Sequence, residues 1–297
     1  MSEVNYKDKN SESKTFNILL WILLLCLLFI PGYFFYIYFL STDAQEKETG
    51  EQAESIDTSA DSQNSTGDED TENIYNENPV QGKNFFEKFP LIENEQSYVA
   101  IPMRVDTNNP PSIVIYNHGD YETVLNTVSS NFMEKLRKYS EVFTSNNYIL
   151  AASSIHDNEN LNNNSIEDIK LLIEWIQSNY DSSAYIYLIG FSRGGYTTTN
   201  YIVEYPESIK GVALLAPATY YTEWNQSRVN IIKNIPIQIW HGTNDTNIAV
   251  IHSENFINRL SKYDKEVILN KEEGKTHYDV DDEYINDILT FFESTIQ

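Results

Sequence analysis

Cysteine is nearly absent from this 297-residue chain, where Cys26 stands alone. No intramolecular disulfide can form, so an exported domain must rely on an ordinary hydrophobic core. Basic residues are scarce too, with 20 Lys and Arg against 44 Asp and Glu and a formal net charge of −24. So acidic a surface repels phosphate backbones and argues against nucleic acid or anionic headgroups as main partners. Glycine is sparse at 11 residues, yet Gly190, Gly194 and Gly195 crowd together, marking a place where the backbone needs room. His, Asp and Glu show no metal-ligand spacing, and neither a metal nor a cofactor is expected. No internal repeat is present.

Charge is missing altogether from residues 15–42, and within them 16–40 is almost wholly apolar. Twenty-five helical residues span roughly 37 Å, enough to cross a hydrocarbon core of about 30 Å with some tilt. A cleavable signal peptide has a shorter apolar region, about 7 to 15 residues, followed by a small-x-small site. Ser41-Thr42-Asp43-Ala44 matches that site poorly, so 16–40 reads as a signal anchor. Lys7, Lys9 and Lys14 precede it, and Lys47 is the one basic residue between it and Lys83. The positive-inside rule therefore expects residues 1–15 in the cytoplasm and the bulk of the chain outside. Residues 41–82 hold twelve acids and one lysine among Ser, Thr, Asn and Gln. Such a segment buries too little to offset its chain entropy and reads as a disordered stalk of roughly 35 Å reach.

The remaining residues, 83–297, number about 215, ample for one core. Strands are expected at 98–105, 113–116, 148–153, 184–189, 211–215, 235–240 and 266–269. About fifteen residues precede the first of them. Helical spacing occupies 131–145, a stretch opening at Ser165-Ile166-Glu167-Asp168, 250–262 and 282–296. A further helix is expected directly after Ser192. Near-continuous apolar strands alternating with amphipathic helices predict an α/β fold, a mostly parallel sheet with helices on both faces.

Gly190-Phe191-Ser192-Arg193-Gly194 follows one of these strands and opens a helix. A serine on a sharp strand-to-helix turn projects its hydroxyl above the sheet, and glycines flank it because side chains there would strike neighbouring backbone. That hydroxyl needs a base, and the base an orienting acid. Loops after later strands offer them: His241-Gly242-Thr243-Asn244-Asp245, then Gly274-Lys275-Thr276-His277. Asp279 and Asp281 are rival acids, but they follow the histidine. His118 and His241, each before a glycine at a strand end, read as loop supports, and His156 and His252 as ordinary loop or helix residues.

With Ser192, Asp245 and His277 in that order and His118-Gly119 after an early strand, residues 83–297 resemble the α/β-hydrolase superfamily. The spacings, 53 and 32 residues, are similar to those of its compact members. These include dienelactone-hydrolase-like proteins, small carboxylesterases and prolyl-oligopeptidase-like catalytic domains. A dienelactone hydrolase proper would carry cysteine where Ser192 stands. The resemblance implies Ser192 as nucleophile, His277 as base and Asp245 as its orienter. It also implies an oxyanion hole from the backbone N–H groups of Arg193 and Asp120. The Asp120 carboxyl must either point away from the developing anion or favour a cationic substrate group. Tyr121, beside it, and Tyr220, Tyr221 and Trp224, in a loop that can border the pocket, are candidate substrate contacts; loop aromatics packed on the domain are the alternative. The expected activity is a membrane-anchored, extracytoplasmic serine esterase, its partners the bilayer and a small or cell-envelope ester. The alternatives are a serine peptidase and a non-catalytic binding protein on the same fold.

Overall fold

The computed structural model describes residues 83–296, apart from 93–94, 106–107, 121, 123, 125–129, 154–163 and 221. The apolar span at 16–40 and the stalk at 41–82 lie outside the described residues. No described helix is long and apolar enough to cross a membrane.

Among the described residues nine strands form one sheet: β1 (Phe85–Lys88), β2 (Leu91–Ile92), β3 (Glu95–Pro102), β4 (Ser112–Asn117), β5 (Tyr148–Ser153), β6 (Ile186–Phe191), β7 (Ile209–Leu215), β8 (Ile237–Gly242) and β9 (Ile268–Glu272). Their order is β1-β3-β5-β4-β6-β7-β8-β9, with β2 paired to β3. From β5 through β9 every pairing is parallel, while β1, β2 and β5 meet β3 antiparallel. All six residues of β5 and of β6 are buried, as strands covered on both faces must be.

Seven helices are described: α1 (Asn131–Ser145), α2 (Asn164–Asn179), α3 (Arg193–Glu204), α4 (Gln226–Ile231), α5 (Ile251–Ser261), α6 (Asp279–Glu283) and α7 (Ile285–Ser294). Ser130 caps α1 by accepting the Met133 N–H at 3.1 Å. The stripe Phe132, Leu136, Tyr139 and Phe143 packs with Ile288 and Phe292 of α7 against one face of the sheet, where Trp240 also lies. On the other face Ile169, Leu172 and Ile176 of α2 join Ile202 of α3 and Phe256 and Leu260 of α5, with Trp224 among them.

Several boundaries differ from the sequence reading. The residues ahead of the first expected strand hold β1 (Phe-Phe-Glu-Lys) and the two-residue β2 (Leu-Ile), too short and unpatterned to show an alternation. β3 therefore starts at Glu95 and ends at Pro102, and Val105 is buried coil. Helix α2 starts at Asn164, so Ser165 lies inside its first turn rather than capping it. The expected closing helix is two, α6 and α7, parted at Tyr284, whose hydroxyl donates to Glu272 at 2.7 Å.

Candidate active site

The parallel strands bring their carboxyl ends to one edge, where the loops after β4, β6, β8 and β9 meet. The turn after β6 places Ser192 at φ 52°, ψ −118°, a conformation foreign to most non-glycine residues. It costs roughly 1–3 kcal/mol and persists only where the surroundings over-determine it. Here the Ser192 N–H donates to the Leu215 carbonyl at 2.9 Å, and its carbonyl accepts from Gly195 at 3.0 Å and Ala218 at 2.8 Å. The glycines answer to space. A Cβ on Gly194 would overlap the Asn117 carbonyl, and one on Gly195 would overlap Pro217.

His277 Nε2 lies 2.9 Å from Ser192 Oγ, and its Nδ1 lies 2.6 Å from Asp245 Oδ2. A carboxylate only accepts, so Nδ1 carries the proton and Nε2 is left to accept from the serine hydroxyl. Asp245 Oδ1 accepts the N–H groups of Asn247 and Ile248, each at 2.8 Å. His241 Nε2 donates to the Ile248 carbonyl at 2.7 Å and also faces Asp245 Oδ2 at 3.3 Å. Burial alone would push the Asp245 carboxyl upward. Hydrogen bonds from His241, His277 and the Ile248 backbone outweigh it and hold the group well below the usual carboxylate range. His241 is thus more than a loop support, since it touches the acid of the constellation directly. Its place in the His-Gly-x-x-Asp run, four residues before Asp245, was the available signal.

A Cβ on Gly119 would lie 3.1 Å from Ser192 Cβ, so the loop after β4 abuts the serine. Its Asp120 carboxylate pairs with the Arg193 guanidinium at 2.9 Å. The acid beside the candidate oxyanion hole therefore has its cation within the protein. Among the rival acids, Asp279 accepts the Thr276 N–H at 2.7 Å, and Asp281 is buried against Lys135. His118 is buried edge-on to Phe132, and Nδ1 sits 2.7 Å from the Gly119 carbonyl. His156 lies outside the described residues.

The expected aromatic contacts divide. Trp224 is 8% exposed, packs edge-on to Phe256 and lies under the Arg228 guanidinium. It is a core residue and not a substrate contact, because its ring turns inward to fill the layer below the sheet. Tyr220 is 38% exposed and rests on the His252 ring at 4.6 Å between centroids. Tyr121 and Tyr221 lie outside the described residues. Tyr278, which the sequence reading passed over, is 61% exposed, 5.3 Å from the His277 ring and 5.9 Å from Phe191. Among the described residues no group of three or more His, Cys, Asp or Glu could hold a metal ion.

A family model described as phospholipase/carboxylesterase matches residues 148–296, from β5 through α7. The chain belongs to this family. The matched residues include Ser192, Asp245 and His277. Solved structures agree on the α/β-hydrolase fold. A puromycin-hydrolyzing peptidase from Mycobacterium tuberculosis is 15% identical with a TM-score of 0.56, over 71% of this chain and 39% of that one. A thermostable esterase is 18% identical with a TM-score of 0.55, over 71% of this chain and 63% of its own. The CE1 ferulic acid esterase from the anaerobic fungus Anaeromyces mucronatus is 18% identical with a TM-score of 0.57, over 76% and 98%. This chain thus spans well under two thirds of the peptidase and slightly under two thirds of the thermostable esterase. Comparison with curated proteins returned no match.

Proposed function

We propose that this family member is a membrane-anchored, extracytoplasmic carboxylic-ester hydrolase that works through an acyl-enzyme on Ser192. The hydrogen-bonded chain Ser192–His277–Asp245 carries the reading. Ser192 Oγ attacks the ester carbonyl carbon as His277 Nε2 takes the hydroxyl proton. Asp245 orients the ring and stabilises the imidazolium. The carbonyl oxygen becomes an oxyanion held by the N–H groups of Arg193 and Asp120, each such donor contributing on the order of 3–4 kcal/mol. The carbon–oxygen bond to the alcohol then breaks, and His277 returns the proton to the leaving oxygen. Water repeats the sequence on the acyl-enzyme and releases the acid. Tyr278, exposed beside His277, and Tyr220, exposed in the loop after β7, are available to stack on a flat or sugar-like substrate.

The apolar run 16–40 and its flanking lysines support the anchor and the outward orientation, and cell-envelope esters fit that place. The same three groups could cleave an amide, and the fold shared with a peptidase is what favours that second reading.

The test compares the full chain in detergent with Ser192→Ala on short- and long-acyl nitrophenyl esters and an aminoacyl nitroanilide. Ester turnover should vanish in the variant, a drop of about a millionfold in kcat for a lost nucleophile. Turnover of the anilide alone would replace the esterase reading with the peptidase one. Folded protein without turnover of any of them would leave the binding-protein reading.

A further inference from the structure

Behind the oxyanion loop lies an ionic cluster that the reaction as written does not use. Lys135 occupies a slot in the apolar stripe of α1 and is 7% exposed. Its ammonium pairs with Asp281, which is 1% exposed, and donates to Glu122 Oε1 at 2.6 Å. Asp281 accepts the Tyr116 hydroxyl at 2.7 Å, and its backbone carbonyl accepts the Tyr139 hydroxyl at 2.8 Å. Glu122 Oε2 accepts the backbone N–H of Gly119 at 3.0 Å. The ammonium also lies 5.1 Å from the centre of the Phe191 ring, the residue before the nucleophile.

We propose that Glu122 and Lys135 are positioning residues that tie the oxyanion loop to the segment carrying His277. The reaction needs two parts held in register: the amide donors after His118 and the imidazole of His277. Each is four or fewer residues from a carboxylate, Glu122 on one side and Asp281 on the other, and both carboxylates end on one ammonium. With the Gly119 N–H held by Glu122, the next amide, that of Asp120, is the donor left for the oxyanion. Stability alone accounts poorly for the cluster, because a buried ion pair is often no better than a well-packed apolar replacement. Burial would lower the Lys135 ammonium, but Asp281 and Glu122 outweigh it and hold it above the usual lysine range, so the hub stays charged.

The inference rests on the reading of Ser192 as nucleophile, and Glu122→Gln tests it with little change in volume. A carboxylate serves Gly119 and Lys135 with separate oxygens, whereas an amide has one acceptor and must abandon one partner. Two rates are measured on the full chain in detergent: labelling of Ser192 by a fluorophosphonate, and turnover of nitrophenyl acetate. Both should fall about tenfold or more in Glu122→Gln, with KM nearly unchanged, as misplacement near the reacting atoms does. The melting temperature should stay close to wild type. Lys135→Arg, which keeps a bridging cation, should retain most of the activity that Lys135→Met loses. Labelling and kcat at wild-type rates in Glu122→Gln would overturn the inference, as would a rate loss matched by a large drop in melting temperature. If the Lys135 variants do not fold, Glu122→Gln alone decides. Labelling of the wild type without ester turnover would sink only the ester reading, and the label rates would still judge the cluster. Absence of labelling in wild type would sink both.

Discussion

At Ser192 strain and chemistry share one residue. Its backbone sits at φ 52° because three hydrogen bonds and two tight glycine contacts leave no other place for the turn. Glycine adopts such angles without penalty, so Ser192→Gly and Ser192→Ala should both be inactive yet differ in stability. The glycine variant should be the more stable by about 1 kcal/mol, read from urea midpoints at constant m. Equal midpoints would mean that the turn stores no strain. Ser192, Asp245 and His277 were legible because their signals are linear: a motif, a chain order and a strand before each loop. Lys135 and Asp281 were not, since 146 residues separate them and neither belongs to a motif. The one hint was a lysine set among Phe132, Leu136 and Tyr139 on an apolar helical face. Trp224 misled because an aromatic residue in a loop can turn inward or outward with the same neighbours in sequence.

Whole elements were read best where one period ran unbroken. The stretch 131–145 shows a clean helical stripe and is α1, and 148–153 is β5 residue for residue. The short hairpin strands β1 and β2 take their shape from pairing with β3, a partner that local sequence does not reveal. The turn between α5 and β9 shows another tertiary tie. Lys265 reaches across to the backbone carbonyls of Lys233 and Ile235 just before β8, and burial pulls its ammonium down to about 8. The unfolded chain holds that proton up to about pH 10.4, so between the two values it binds more protons than the native state. Stability from this group is therefore fully present above the unfolded pKa and lost as pH falls through about 8. Denaturant midpoints should rise from pH 8 toward 9.5, and Lys265→Met should lack that rise. The window stops there because tyrosines such as Tyr201, pushed up by burial, resist ionisation and oppose the trend at higher pH.

Taken whole, the chain is unevenly charged, with twelve acids and one lysine in 41–82 and 29 acids against 16 bases beyond them. Under the anchoring proposed above, so acidic a spacer would repel itself and lie open to proteases. On the anchored reading, protease added to intact cells should release a soluble fragment beginning within 41–82 that still reacts with a fluorophosphonate. Fragment appearing only after the cells are broken would reverse the orientation. Fold class was legible at this scale because alternating buried strands and amphipathic helices admit few architectures.

The two apolar layers carry one more consequence. Trp240 lies in one and Trp224 in the other, with the sheet between them. Each layer therefore contains its own fluorophore. Variants that keep only Trp240 or only Trp224, with Trp21 and Trp175 also replaced by Phe, would report the melting of one side alone. Because every central strand belongs to both layers, the two emission curves should coincide as a single cooperative transition. Curves that separate would mean that one side of the sheet can loosen while the other keeps the nucleophile in place.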